Sequence, residues 1–189
     1  ADAAGGPDGC AMSESRTIAF LPEAAYGASL NCVALAQELR EMGHRPVFLC
    51  DPGFAGMFGN YDFEELPVAM SPLKSDAEIA DFWQRFIDQH RPHFPLPPIE
   101  QIATYEVPAW NAIVDSAIHA EPSLRKAIAK LRPDVICLDN VVLFPAIAAA
   151  GVPWVRIVSC AETELPDPEV PPYTSGCATG DRAAGDRFR

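Results

Sequence analysis

Polar residues that can take part in chemistry stand at the ends of apolar segments in this chain. Asp139 and Asn140 follow the run VICL, Ser159 follows the run WVRIV, and Glu23 follows RTIAFLP. A carboxylate acts as a general base on a hydroxyl group when it lies within hydrogen-bond reach. These positions are therefore the first candidates for a site.

Two roles fit Asp139 from its position alone. Burial at the end of a strand disfavours a charged carboxylate and raises its pKa, which suits a general base. Aspartate is also a common helix N-cap, and a helical segment is predicted to follow from Val141. Glu23 is a second possible base, although a solvated loop side chain is the simpler interpretation of that residue.

The elements that position these residues alternate between strands and helices. Arg16–Pro22 is typical of a buried parallel strand. A small-residue loop, EAAYGAS, leads to a helix from Leu30 that Gly43 ends. A second strand, Arg45–Cys50, follows, and a glycine-rich stretch then precedes a weaker strand near Tyr61–Pro67. The first part of the chain is therefore a βαβ unit.

Residues 75–130 have helical periodicity with bulky apolar side chains. Ser75 predicts a helix start, and the segment Pro92–Pro98 interrupts the pattern. A second stretch, about 99–130, contains prolines that predict kinks or new helix starts. Bulky residues of both stretches either form core or line an apolar ligand cavity: Phe82, Trp83, Phe86, Trp110 and Ile113.

The alternating pattern then resumes with a strand over residues 134–139, a helix over Leu143–Ala150 and a strand over Pro153–Ser159. This order predicts an α/β, Rossmann-like parallel sheet with helices on both faces. Ligands of such folds bind beyond the carboxyl ends of the strands. The loops after Leu21, Leu138 and Val158 are therefore the candidate site.

Composition excludes several classes of function. The 189 residues carry a formal net charge of -12, which disfavours binding to nucleic acid and to anionic membranes. The six cysteines contain no CxxC pair, so a metal site is not expected. We expect them to be reduced thiols in a cytoplasmic protein. The longest apolar run, near 141–155, contains two prolines and falls short of the ~20 residues of a membrane span.

Nucleotide-binding motifs are absent from the sequence. The loop after the first strand, PEAAYGAS, has Gly27 as its one glycine, whereas a GxGxxG loop needs several for close approach to a pyrophosphate. Neither a GxxxxGKS loop nor a GxSxG elbow occurs elsewhere. These absences argue against a Rossmann-type reductase or an esterase, and no cofactor is expected in this domain.

Three segments in order resemble the GT-B glycosyltransferases of the macrolide and plant natural-product type, which use nucleotide-activated sugars. They are LPEAAYGASLNCVALAQELREMGHRPVFL, LRPDVICLDNVVLFPAIAAAGVPWVRIVS and DPEVPPYTSG. The resemblance implies half of a GT-B fold, the amino-terminal domain that binds a hydrophobic small-molecule acceptor. It also implies sugar transfer to an acceptor hydroxyl, without metal, from a nucleotide-sugar held by a missing carboxy-terminal domain.

Met12, which is typical of a natural start, and the resemblance together predict a division of the chain. Residues 1–11 are expected to be a disordered or artificial tail, and residues 12–176 the acceptor domain. Residues 177–189 are expected to be a linker towards the donor-binding domain. The partners implied are the acceptor and the chain's own second domain.

The resemblance assigns roles to the residues after the first strand. The family's general base is a histidine directly after the loop glycine, but Ala28 follows Gly27 here. Tyr26, Gly27 and Ala28 are expected to touch substrate, as are Asn140 and Ser159. Asp139 matches the family's supporting aspartate and is the candidate catalytic residue. The loss of the histidine leaves an alternative, a non-catalytic binding protein that kept the fold.

Overall fold

The computed structural model describes residues 14–72 and 75–159, together with residues 167, 170, 171, 175–178 and 180; the side chains at positions 76, 79, 80 and 83 lie outside that description. Within it, one parallel sheet has five strands in the order β3-β2-β1-β4-β5. The strands are β1 (Thr17–Pro22), β2 (Arg45–Cys50), β3 (Glu64–Pro67), β4 (Val135–Asp139) and β5 (Trp154–Arg156). The expected fold class is confirmed.

The helices lie between these strands in the chain. Their bounds are α1 (Tyr26–Glu41), α2 (Asp76–His90), α3 (Pro98–Gln101), α4 (Val107–Leu131) and α5 (Pro145–Ala148). A π-helical turn, Ile102–Glu106, joins α3 to α4. Strand order reverses between β1 and β4, so the topological switch point of this doubly wound sheet lies there.

The central strand separates two layers of core because its side chains alternate between the faces. Ile18 and Phe20 pack with residues of α1 such as Val33. Ala19 and Leu21 pack on the other face with a cluster that includes Leu124 of α4. Both faces of β1 are therefore covered, which explains why its sequence is continuously apolar.

Helix α1 begins earlier than the sequence predicts. The predicted loop EAAYGAS ends at Ala25, and Tyr26 already lies in the helix. The N–H of Ser29 donates to the carbonyl of Ala25 at 3.0 Å, which closes the first turn. Ala28 and Ser29 are buried, so small side chains let this turn approach the sheet. Gly27 lowers the helix propensity of this segment, which is why its sequence alone predicts a loop.

Three other predicted elements are shorter in the structure. Helix α5 starts at Pro145, because Phe144 keeps an extended conformation as its N-cap. Strand β5 pairs with β4 only from Trp154 to Arg156. Strand β3 begins at Glu64, since Asp62 adopts a left-handed conformation with a φ of 61°.

The long insertion between β3 and β4 keeps the helical character that its sequence predicts. Ser75 is the N-cap of α2 and accepts a hydrogen bond from the N–H of Glu78 at 3.3 Å. Pro108 lies in the first turn of α4, where a missing N–H costs nothing. Pro122 lies inside α4, which nevertheless continues to Leu131.

Helix α4 changes character along its length. Its second half is buried against the sheet through Ala120, Leu124, Ala127 and Ile128. Its first half leaves Trp110, Val114 and Ile118 substantially exposed. One helix thus serves as core at one end and as surface at the other.

Several expectations fall outside this description. Residues 1–11 and most of residues 177–189 lie outside the described residues, so the predicted tail and linker stay predictions. Among the described residues, no helix is both long enough and apolar enough to cross a membrane.

The aromatic stack under β2 gives a stability prediction. The ring of Phe48 is fully buried and stacks on Phe58 and Phe20, at centroid distances of 4.0 and 5.3 Å. We expect Phe48→Ala to lower the free energy of unfolding by about 3–5 kcal/mol, because it opens a cavity in the core. Urea denaturation followed by circular dichroism measures the loss.

Phe94→Ala is the matched control, since Phe94 is 42% exposed and contacts Tyr105 at its edge. We expect it to cost about 1 kcal/mol. Equal losses for the two variants would contradict the assignment of Phe48 to the core.

Candidate functional site

A cavity of about 600 Å³ opens at the carboxyl edge of the sheet. The segments that follow four strands form one side of it. Its lining residues there are Glu23 and Ala24 after β1, Asp51, Gly53 and Phe54 after β2, Met70, Ser71 and Pro72 after β3, and Asn140, Val142 and Phe144 after β4. The insertion closes the other side with Phe82 of α2 and with Ala112, Ile113, Asp115, Ser116 and Ala117 of α4.

Two of the residues predicted to bind substrate line this cavity. Phe82 and Asn140 belong to its wall. The side-chain carbonyl of Asn140 also accepts a hydrogen bond from the N–H of Val142 at 3.0 Å, which fixes the turn after β4. Asn140 lies on the side formed by the strand ends, and Phe82 lies on the side formed by the insertion.

Phe86 and Trp110 lie elsewhere. The ring of Phe86 packs against that of His90, with centroids 4.4 Å apart, and contacts the ring of Tyr105. His90 is 4% exposed, and its Nδ1 lies 2.9 Å from the carbonyl of Thr104. Trp110 is 39% exposed on the outer side of α4. The aromatic stripe of the sequence is thus divided between the cavity and a separate cluster.

The first turn of α1 lies at the margin of the cavity. Tyr26 is exposed, and its ring is 5.9 Å from that of Phe54, which lines the wall. Gly27 is also exposed, and a side chain there would meet no atom within 4 Å. Ala28 points into the protein and is 6% exposed. None of these three residues belongs to the wall.

Asp139 is buried behind the cavity rather than on its surface. Its two carboxylate oxygens accept hydrogen bonds from the Ser159 hydroxyl, at 2.7 and 2.9 Å. The thiol of Cys32 on α1 donates to the same carboxylate at 3.8 Å. Asp139 therefore joins β4, α1 and the segment after β5. No helix begins at Val141 in the described part of the chain, so the capping role considered for Asp139 is wrong.

The backbone continues this junction towards the cavity. The N–H of Glu23 donates to the carbonyl of Asp139 at 2.5 Å, one residue beyond the end of β1. The hydroxyl of Ser29 reaches the carbonyl of Glu23 at 3.5 Å. Glu23 thereby enters the wall at a position fixed by the sheet.

Asp51 holds the loop after β2. One carboxylate oxygen accepts from the N–H of Gly53 at 2.9 Å, and the other accepts from the N–H of Met70 at 3.0 Å. Glu65 fastens the same glycine-rich loop through the N–H groups of Gly56, Phe58 and Gly59. This rigid loop carries Phe54 into the cavity wall.

Sequence reasoning missed Asp51 and Asp115 as wall residues. Asp51 directly follows a predicted strand, so the rule that selects Asp139 would also have selected it. Asp115 stands on a helix with no local signal, because its place on the wall depends on how α4 packs. Within the described residues, no group of three His, Cys, Asp or Glu side chains is arranged to hold a metal ion.

Burial affects the thiols near this edge. It raises the pKa of Cys32 far above its ordinary value, and the nearby carboxylate of Asp139 raises it further. Burial also raises the pKa of Cys50 from 9.0 to about 12, with further contributions from Glu65 and Asp51. Both groups therefore remain neutral thiols at physiological pH.

In doubly wound sheets, the carboxyl edge is where ligands bind, and small-molecule sites are mostly apolar cavities. Among solved structures, the chain is similar to the glycotransferase of kitacinnamycin, with 25% identity and a TM-score of 0.51 over 76% of this chain and 30% of that one. The chain shares its Rossmann-like fold with the GT-B glycosyltransferases, as its sequence predicts.

Two further structures align over the same share of this chain. The calicheamicin glycosyltransferase CalG4 has 20% identity and a TM-score of 0.49, with 32% of its own length covered. The spinosyn forosaminyltransferase SpnP has 17% identity and a TM-score of 0.46, with 30% covered. This chain thus spans about a third of the length of each of the three structures. No protein-family model and no curated protein matches it.

The junction at Asp139 gives a second prediction. We expect Ser159→Ala to lower the free energy of unfolding by about 1–2 kcal/mol, because a buried carboxylate loses its hydroxyl donor. Ser116→Ala is the control, since that hydroxyl has no hydrogen-bond partner among the described residues and alanine favours the helix. Urea denaturation measures both variants, and equal effects would show that the Ser159 hydrogen bond contributes nothing.

The thiols give a third prediction. At pH 8 we expect iodoacetamide to alkylate Cys50 at least about 100-fold more slowly in the native chain than in urea, because the thiolate is the reactive form. Peptide mapping by mass spectrometry measures the rates. Labelling at the unfolded rate would contradict the burial of Cys50.

The same shift links stability to pH. The pKa of Cys50 is raised on folding, so its contribution to stability is complete below about 9 and is lost as the pH rises towards about 12. The free energy of unfolding should therefore fall over this window, and Cys50→Ala should remove that part of the decline.

Proposed function

We propose that this chain is the acceptor-binding half of a glycosyltransferase, which transfers a sugar from a nucleotide-sugar to a hydroxyl of a hydrophobic small molecule. The observation that carries the proposal is the apolar cavity at the carboxyl edge of the sheet. The similarity to the glycotransferase of kitacinnamycin supports the reaction class.

The cavity suits an apolar acceptor. Phe54, Phe82, Ile113 and Phe144 provide most of its bulky apolar wall. A pocket of this kind gains affinity from buried apolar surface, and its few polar groups orient the guest. Asn140 supplies an amide on one side, and Glu23 supplies a carboxylate beside the switch point.

We propose that a second domain binds the donor. The matched structures extend well beyond the share that this chain covers. Residues 12–176 then form the acceptor domain, residues 177–189 lead to the donor domain, and no cofactor binds to the first domain. A cytoplasmic location belongs to the same proposal.

Two carboxylates are the candidates for the general base. Asp139 stays our predicted catalytic residue, yet its hydrogen bonds with Ser159 and Cys32 also suit a group that positions its neighbours. Glu23 lines the cavity and is the alternative proton acceptor. Either residue would accept the proton of the acceptor hydroxyl as the sugar is transferred.

One observation favours a second candidate function, a binding protein without catalysis. Ala28 stands where the resemblance expects a histidine, and it is buried in the first turn of α1. A histidine there would have to displace packed neighbours, which costs about 1–3 kcal/mol. Binding of an acceptor without sugar transfer would therefore distinguish the non-catalytic binding protein from the glycosyltransferase.

Ligand binding gives a further prediction. We expect the chain to bind naphthylethanol, an apolar alcohol, and not uridine diphosphate, because the cavity is apolar and the loop after β1 lacks a phosphate cradle. Phe82→Ala should weaken alcohol binding about tenfold, while Phe94→Ala, outside the cavity, should not. Titration calorimetry measures each affinity. Binding of the nucleotide alone would contradict the proposed division of labour.

Transfer is tested in a chimera. The matching part of the kitacinnamycin glycotransferase is replaced by this chain, and sugar transfer to apolar alcohols is followed by mass spectrometry. Activity that Glu23→Gln abolishes and Asp139→Asn only reduces would identify Glu23 as the base. The reverse order would support Asp139, and acceptor binding with no transfer would favour the non-catalytic candidate.

A further inference from the structure

Acidic side chains from three elements line the cavity. Glu23 follows β1, Asp51 follows β2 and Asp115 lies on α4. Asp115 is three residues after Ala112, which also belongs to the wall, so the two share a face of the helix. No basic side chain is among the described residues of the wall. The cavity is therefore apolar and negatively charged at the same time.

Several arginines of the described residues are engaged away from the cavity. Five of them form ion pairs with acidic residues outside the cavity: Arg16, Arg45, Arg85, Arg91 and Arg125. The carboxylate of Asp51 is satisfied by backbone N–H groups, which leave its charge in place. Asp115 has neither a hydrogen bond nor an ion pair with any described residue. Asp51 and Asp115 thus give the described part of the wall a negative charge.

We propose that the guest of this cavity is a cationic amphiphile, an apolar ring system that carries an amine protonated at neutral pH. This inference rests on the proposed acceptor site and names its substrate class. A protonated amine is attracted to carboxylates that lie within a few ångströms of it. The same charges repel an anionic guest, and the chain's net charge of -12 draws cations towards it.

A neutral polyol is the competing guest, because carboxylates also accept hydrogen bonds from hydroxyl groups. The affinities of the two guests differ in how they depend on salt concentration. A cationic guest loses affinity when salt screens the carboxylates, whereas a polyol does not.

The test uses three probes that share one ring system: naphthylethylamine, naphthylethanol and naphthylacetate. They are titrated into the isotope-labelled chain, and nuclear magnetic resonance shifts give the affinities at low and high salt. We expect the amine to bind about fivefold more tightly than the alcohol at low salt, and the acetate to bind most weakly. High salt should bring the three affinities together.

Asp115→Asn should remove much of the preference for the amine over the alcohol. Glu41→Gln is the matched control, because Glu41 is exposed on α1, outside the cavity, and its loss changes the net charge equally. The preference should survive in that variant.

Three outcomes would overturn the inference. Equal binding of amine and alcohol would reject the cationic guest and leave the acceptor site intact. Equal loss of preference in the two variants would assign the effect to net charge rather than to the cavity. Failure of all three probes to bind would reject the acceptor site as well.

Discussion

The pairing of β1 with β4 is the constraint on which the site depends. Pro22 lies opposite Asp139 in this register, and one further backbone hydrogen bond links Glu23 to the carbonyl of Asp139. Because successive side chains of a strand point to opposite faces, a slip of one residue would exchange the two core layers on either side of β1. The core therefore fixes the register, and the register fixes where the loops after β1 and β4 stand.

The carboxylate of Asp139 shows how burial and position act together at this junction. Buried charges are costly unless they are hydrogen-bonded, and Ser159 and Cys32 supply donors from two other segments. The side chain thus holds α1 and the segment after β5 to the end of β4. A group in such a place affects the cavity through the geometry of its neighbours, whatever further part it has in chemistry.

The fold could be predicted from the sequence to a much greater extent than the cavity. Continuous apolar runs such as Phe20 and its neighbours identify buried parallel strands, and the strand ends then indicate where a ligand lies. That rule located Asn140 and Glu23, which follow their strands directly. It gave no information about Asp115, which reaches the wall through the packing of a helix distant in sequence. Periodicity could not separate Phe82 from Phe86, because both fit one amphipathic stripe.

The two halves of α4 have a consequence for how this domain can change over evolution. Its later turns are held by the sheet and tolerate little variation in side-chain volume. Its earlier turns line the cavity or face the solvent, so substitutions there leave strand pairing untouched. A lineage could therefore acquire a new ligand by exchanging residues over a few turns of one helix, while the same scaffold continues to fold.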